Sequence, residues 1–244
     1  MTENMAPKRP HHRTVDRVAQ MLEATARSEG GLTLTELASA AEAPLSSIQS
    51  LVNGLTAAGF LAEVDRRFQL GPAPYLLSSM ANRPLVRSVG RAQLEALHRE
   101  SGHAVLLAVL MSRSVYYIDV VGDLAKFHYL TDRMIPRPPL RSSAGRAIAA
   151  TLERRDLWGL IQSLPDEDVG IVDAFLAEVD DIRDAQLAYG AGLTDSGLHG
   201  IATPVVEQGR TVAAVSIVGP ARQLSDERPH LERLLREHRG RWAT

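Results

Sequence analysis

Between Val15 and Leu70 the chain sets three helix boundaries so close together that few folds can accommodate them. Val15, Val18, Leu22 and Ala26 recur at the spacing of one helix face, and Gly30-Gly31 ends that run. Thr33-Leu34-Thr35-Glu36 then matches a capping box, in which a Thr hydroxyl and a Glu carboxylate satisfy the free backbone donors of a helix start. This predicts a short second helix to about Ala41. Glu42-Ala43 makes a turn and Pro44 suits the first position of a third helix. Ile48, Leu51, Val52 and Leu55 give that helix a buried stripe, and Gly59 closes it. Phe60 to Val64 and Arg67 to Leu70 alternate around Asp65-Arg66 as a small hairpin. Helix, helix, turn, helix, hairpin is the order of a winged helix-turn-helix.

The third helix has an informative opposite face. Ser46, Ser47, Gln49, Ser50 and Asn53 are short hydrogen-bonding side chains with no acid among them. Such a face suits the DNA major groove, where Gln or Asn pairs adenine and Ser bonds bases or phosphates. A plain solvated face has the same composition. Arg66 and Arg67 at the wing tip, with Arg9 and Arg13 in a basic arm expected to be disordered over residues 1–13, are candidates for phosphate or minor-groove contacts. Each arginine alone reads equally as a surface charge. The whole chain has 27 Lys and Arg against 29 Asp and Glu, so no global field announces a nucleic-acid partner.

Gly71, Pro72 and Pro74 mark a boundary at the end of a domain spanning 14–72. Helical patterns over Tyr75 to Ala81 and Leu85 to His98 predict a linker helix within 73–101. From Gly102 the composition turns β-like. Val105 to Leu110 and Val115 to Val121 flank a turn, Phe127 to Leu130 is a possible strand, and Ile201 to Val206 and Thr211 to Val218 surround Glu207-Gln208-Gly209-Arg210 as a further hairpin. Helices are expected after Ser142 or Ser143, over Asp156 to Gln162 and Asp173 to Tyr189, and around Leu231, Leu234, Leu235 and His238. Hairpins mixed with helices predict an antiparallel sheet with helices against it, so the fold class is α+β, with a second domain over 102–244.

The 244 residues suffice for one large domain or two small ones. The chain has no cysteine, which excludes disulfides, thiolate metal sites and a cysteine nucleophile. The longest apolar runs, such as Ala104 to Met111, fall short of the roughly 20 residues of a spanning helix, and no charged-then-apolar leader opens the chain. A cytoplasmic protein without membrane contact is the expectation.

The run APLSSIQSLVNGLTAAGFL, then FQLG at Phe68 to Gly71, PLRSSAGRAIAA at Pro139 to Ala150, and finally GLHGIATPVV with AAVSIVGP, occur in an order and spacing that resemble the isocitrate lyase regulator (IclR) family of bacterial transcription factors. The resemblance covers the chain from about Thr14. It implies a DNA-binding winged helix, a linker helix and a GAF-like domain that binds a small metabolite, assembled as a homodimer or homotetramer on a double-stranded DNA operator, without a cofactor. By resemblance, Ser143 and Ala144, beside Gly145, fall where family members present backbone amides to an effector carboxylate. Asp195, Gly200, Ser216 and Val218 fall near the other pocket positions. The chain departs from the family at Ser50, where Arg is usual, at Leu45, often Lys or Arg, and at Phe68, usually Tyr. Members that recognise very small oxo-acids tend to carry a thiol and a hydroxyl where this chain has Gly200 and Val218. The expected effector is therefore a larger carboxylate with an apolar or aromatic body, filling space left beside Gly200.

From the residues themselves, Ser142-Ser143-Ala144-Gly145-Arg146 is a helix start of small side chains, which either leaves amides open to an anion or is a bare cap. His103, His128, His199, Asp119 and Asp195 match no catalytic pattern, which disfavours an enzyme. The leading expectation is a ligand-responsive transcriptional regulator. A metabolite sensor that works through protein contacts, and a small-molecule enzyme, are the alternatives. The sequence fits a repressor and an activator alike.

Overall fold

The computed structural model describes residues 12–122, 130–132, 134–191 and 197–242, and the chain divides into two compact units, Met1–Pro84 and Leu85–Thr244. In the first unit, α1 spans Arg13–Arg27, α2 Leu34–Ala40 and α3 Leu45–Ala57. Arg13 is thus helical, while residues 1–11 of the expected basic arm, Arg9 included, lie outside the described residues. The capping box forms: the Thr33 side chain accepts from the Glu36 amide, and Glu36 Oε2 accepts from the Thr33 amide at 2.7 Å. Pro44 caps α3 from just outside rather than occupying its first turn.

Strands β1 (Leu61–Val64) and β2 (Arg67–Leu70) pair antiparallel through a turn in which Asp65 and Arg66 both take positive φ, the hairpin geometry that matches strand twist. Leu32 adds a bridge to Phe68 on the other side of β2. The core of this unit is Met21, Leu37, Ala38, Ala41, Ile48, Val52, Leu61 and Phe68. The buried face of α1 is rotated from the one expected. Met21 and Thr25 are buried, whereas Val15 and Ala26 are exposed. Thr25 tolerates burial because its hydroxyl donates to the Met21 carbonyl at 2.7 Å. A further helix, α4 (Ala73–Ala81), closes this unit with no buried residue.

The second unit starts with α5 (Arg91–Ser101). The helix expected from Leu85 begins at Arg91 because Gly90 caps it, its amide donating to the Gln93 side chain. Strands β3 (Ala104–Met111), β4 (Ser114–Val121), β5 (Ala188–Ala191), β6 (Leu198–Glu207) and β7 (Arg210–Pro220) form a sheet in the order β4-β3-β7-β6-β5, and every pairing is antiparallel. Helices α6 (Ser143–Thr151), α7 (Arg154–Ile161) and α8 (Val169–Ala185) supply the core on one face. On the other face lie α5, α9 (Ala221–Asp226) and α10 (Arg228–Trp242). Burial on both faces explains the unbroken apolar run of β3: Ala104, Leu106 and Ala108 face one layer, and Val105, Leu107 and Val109 the other. Residues 127–129 of the expected strand ending at Leu130 lie outside the described residues, and Leu130 itself is helical and buried. The helix expected to run on to Tyr189 stops at Ala185, where Gln186 turns left-handed and releases the chain into β5.

Candidate functional site

In the first unit, α3 turns Ile48 and Val52 into the core and exposes Leu45, Ser46, Ser47, Gln49, Ser50 and Asn53. The exposed set includes every residue of the expected reading face, together with one apolar residue at its leading end. Gln49 Nε2 donates to Asn53 Oδ1 at 2.9 Å, so the two exposed amides are linked along the helix and each keeps further hydrogen-bonding capacity. Arg13 and Arg66 are exposed at the start of α1 and at the wing turn.

Arg67 is placed differently. Its Nη1 donates to the Gly31 carbonyl at 2.8 Å and lies 3.3 Å from Glu36 Oε2. The Thr33 amide and hydroxyl, and then Arg67, hold the Glu36 carboxyl below the usual carboxylate range. Arg67 therefore ties the wing to the start of α2, with its guanidinium still half-exposed.

In the second unit, α6 is capped by Ser142, whose hydroxyl accepts from the Gly145 amide at 3.1 Å. The structure brings Ser143, Gly200, Ser216 and Val218 to one place. Ser143 Oγ donates to Ser216 Oγ at 3.4 Å, and Gly200 pairs with Val218 across β6 and β7. Ala144 and Gly145 are buried in the same helix turn, and Asp195 lies outside the described residues. Gly190 and Gly200 are partners across β5 and β6, and together they let α6 sink onto the sheet. A Cβ on Gly190 would stand 2.5 Å from the Ser143 amide nitrogen, and one on Gly200 would overlap Ser143 Oγ.

In the direction a side chain would take, the space beside Gly200 is filled by Ser143, itself 4% exposed, while Gly200 also borders open volume. The open volume lies next to it, at the end of β5. It is a cleft of about 350 Å³ bordered by Gly190 and Gly200, with Arg146, Glu178, Tyr189, His199, Ser225 and Arg228 as polar lining and Ile201 and Leu224 among its apolar walls.

Sequence reasoning passed over most of these cleft residues. Arg146 had one signal, a single charge in a helix otherwise made of small and apolar residues. Tyr189 and Arg228 had none, since distant elements bring them together. The Arg228 guanidinium stacks 3.8 Å from the Tyr189 ring centroid, and Glu232 accepts from both side chains. Burial, and then the bond to Glu232, push the Tyr189 hydroxyl up to about 12. Burial also acts to raise Glu232, but its bonds to Tyr189 and Arg228 prevail and hold it low.

Of the residues considered for catalysis, His103 and Asp119 are engaged elsewhere, and His199 lines the cleft. His103 Nε2 lies 3.0 Å from Glu227, and Asp119 accepts from Arg91 at 2.6 Å. His128 is outside the described residues. Among the described residues no cluster of His, Asp and Glu is arranged to hold a metal ion, and no helix is long and apolar enough to cross a membrane.

Two family models match the chain: the IclR helix-turn-helix domain over residues 14–65, and the bacterial transcriptional regulator IclR C-terminal domain over residues 79–240. Among curated proteins no significant match exists. Solved structures do align over nearly the whole length. An IclR-type transcriptional regulator of Silicibacter sp. is 19% identical with a TM-score of 0.74, covering 94% of each chain. An IclR family transcriptional regulator of Brucella abortus is 20% identical with a TM-score of 0.74, covering 96% of this chain and 93% of its own. An IclR homologue of Microbacterium hydrocarbonoxydans, solved with 4-hydroxybenzoate, is 22% identical with a TM-score of 0.66, covering 94% of this chain and 97% of its own. With a helix-turn-helix at one end and the regulator domain filling the rest, the chain belongs to the IclR family of bacterial transcriptional regulators.

Proposed function

We propose that the protein binds an operator in double-stranded DNA through α3 and the wing, and that a small carboxylate with an apolar or aromatic body, held in the second unit, changes operator occupancy. The observation that carries the DNA half is the exposed face of α3. Five hydrogen-bonding side chains, Ser46, Ser47, Gln49, Ser50 and Asn53, stand outward on a helix whose other side is locked by Ile48 and Val52. Rigid presentation matters because base readout needs bidentate geometry. Arg13 and Arg66 supply backbone contacts, and Arg67 does so while bracing the wing. A DNA partner also sets the compartment, the bacterial cytoplasm.

The ligand half is supported by the cleft at the end of β5, which joins cationic and apolar walls, and by the family relative that holds 4-hydroxybenzoate. Gly200 lines this cleft, and Ser143, Ala144, Gly145, Ser216 and Val218 are the buried floor packed beside it. Ligand-driven movement of that floor would reach β5, β6 and β7 together.

Operators with two-fold symmetry call for a dimer. Leu94 and Leu97 of α5 are buried within their own unit, which leaves α4 as the exposed apolar helix. Tyr75 is 74% and Met80 78% exposed, with Leu76 and Leu77 about half exposed beside them, and pairing with a second copy would cover this stripe. Gel-shift titration on the DNA upstream of the protein's own gene, with and without a panel of aromatic acids, tests the reading. Sequence-selective binding that one acid shifts is the expected result. Equal affinity for promoter and random DNA would contradict it.

A further inference from the structure

Arg146 occupies an unusual electrostatic position. It is 8% exposed, in the first turn of α6, among alanines that pack on the sheet. A guanidinium has five donors to satisfy, yet among the described residues Arg146 has one hydrogen-bond partner, Glu178 Oε2 at 2.6 Å, and its Nε has none. Its remaining support is the Phe175 ring, with the guanidinium carbon 5.6 Å from the centroid. Glu178 is itself 54% exposed, so a cation almost wholly out of water is balanced by an anion that largely remains in it. Such a partner is readily exchanged, because its own hydration competes with the pair.

Both residues line the cleft at the end of β5. The amides of Ser143 and Ala144 do not line it: α6 is pressed against Gly190 and Gly200, and Ser143 is turned into that contact. Arg228 adds a second guanidinium, His199 adds ring nitrogens for hydrogen bonding, and Ile201 and Leu224 supply apolar surface. We propose that Arg146 is the anion receptor of this cleft, where the carboxylate of the effector takes the place of Glu178 on the guanidinium and its apolar body lies against Ile201 and Leu224. A planar carboxylate can meet the guanidinium fork with two parallel bonds, which Glu178 does not do. Because Glu178 belongs to α8 and Arg146 to α6, the exchange severs a link between two helices and gives the ligand a differential interaction with the two states. This inference rests on the reading of the second unit as a carboxylate sensor.

The test is calorimetric titration of the full-length protein with monocarboxylates running from glyoxylate and pyruvate through benzoate and 4-hydroxybenzoate to phenylacetate, each beside its uncharged amide. At least one acid should bind and its amide should not. Arg146→Met should weaken that acid by about tenfold to a hundredfold, and Arg146→Lys by less, since it keeps the charge and loses the fork. Glu178→Gln, whose amide oxygen can still accept from Arg146 and whose fold is checked by circular dichroism, should bind the same acid several-fold more tightly. That gain is a signature no merely structural role for the pair would produce. Equal or weaker binding by Glu178→Gln, or unchanged binding by a folded Arg146→Met or Arg146→Lys, would overturn the assignment of Arg146 alone. Failure of the wild-type protein to bind any acid would overturn the carboxylate-sensor reading and this inference with it.

Discussion

The contact between α6 and the paired glycines of β5 and β6 makes a sharp energetic prediction, because the two positions fail in different ways when a methyl group is added. On Gly190 the new Cβ would lie 2.5 Å from the Ser143 amide nitrogen and 2.9 Å from the Ser142 carbonyl carbon. Both are backbone atoms, so the whole start of α6 would have to lift. Overpacking of that kind costs about 1–3 kcal/mol, and the entropy gained on replacing glycine with alanine returns only about 0.4–1 kcal/mol. Gly190→Ala should therefore destabilise the second unit by about 1–2 kcal/mol.

On Gly200 the overlap is with Ser143 Oγ, the end of a rotatable side chain, and the next neighbours stand at 3.4 and 3.5 Å. Turning that hydroxyl away forfeits its long 3.4 Å bond to Ser216, so the net cost should be below about 1 kcal/mol. Removing the hydroxyl first should abolish it: in a Ser143→Ala background, Gly200→Ala becomes neutral or stabilising, whereas Gly190→Ala costs what it did before. Urea unfolding followed by circular dichroism, taking the transition of the second unit, measures all the variants. Equal cost at the two glycines, or no relief of Gly200→Ala by Ser143→Ala, would refute the account of this contact.

Other predictions follow from the same geometry. Gln49→Ala should lose operator discrimination by about 1–3 kcal/mol in competition with random DNA, while Arg66→Ala should weaken all sequences alike and lower the salt slope by about one, as measured by fluorescence anisotropy. Arg67→Ala should in addition lower the unfolding midpoint of the first unit, because it removes the bond to Gly31 as well as a surface charge. Tyr189 keeps its proton to about pH 12 in the folded chain against the ordinary 10.0 of a tyrosine, so from pH 10 upward the unfolded chain loses the proton first and stability falls with rising pH; Tyr189→Phe should flatten that fall in alkaline unfolding curves. A Leu77→Glu and Met80→Glu double variant should sediment as a monomer if α4 pairs two copies as proposed, while its far-ultraviolet spectrum stays unchanged, since neither side chain is buried within the chain.

Local signals carried much of this protein in its sequence. The capping box at Thr33, the wing turn at Asp65-Arg66 and the stripe of α3 each depend on residues a few positions apart, so they were legible without tertiary information. β5 was not. Ala-Tyr-Gly-Ala has neither alternation nor β-branched residues, and it becomes a strand because β6 offers it a partner and α6 needs glycine beneath it. The rotated face of α1 has a similar origin, since a threonine that bonds its own helix carbonyl is apolar enough to bury. The site residues divide along the same line. The polar face of α3 was visible as a pattern, whereas the bracing role of Arg67, the filling of the Gly200 space by Ser143, and the meeting of Arg146 with Glu178 all join residues more than thirty positions apart or on separate elements.

If the protein is a ligand-responsive regulator, occupancy of the second unit changes the affinity of the first for DNA. The most direct measurement is anisotropy titration of the full-length protein onto a labelled fragment from upstream of its own gene, repeated at saturating concentrations of whichever acid calorimetry identifies. Binding should be sequence-selective and salt-dependent, with a dissociation constant that moves by at least about fivefold with the acid, a coupling of roughly 1 kcal/mol. A dissociation constant that the bound acid leaves unchanged would contradict it.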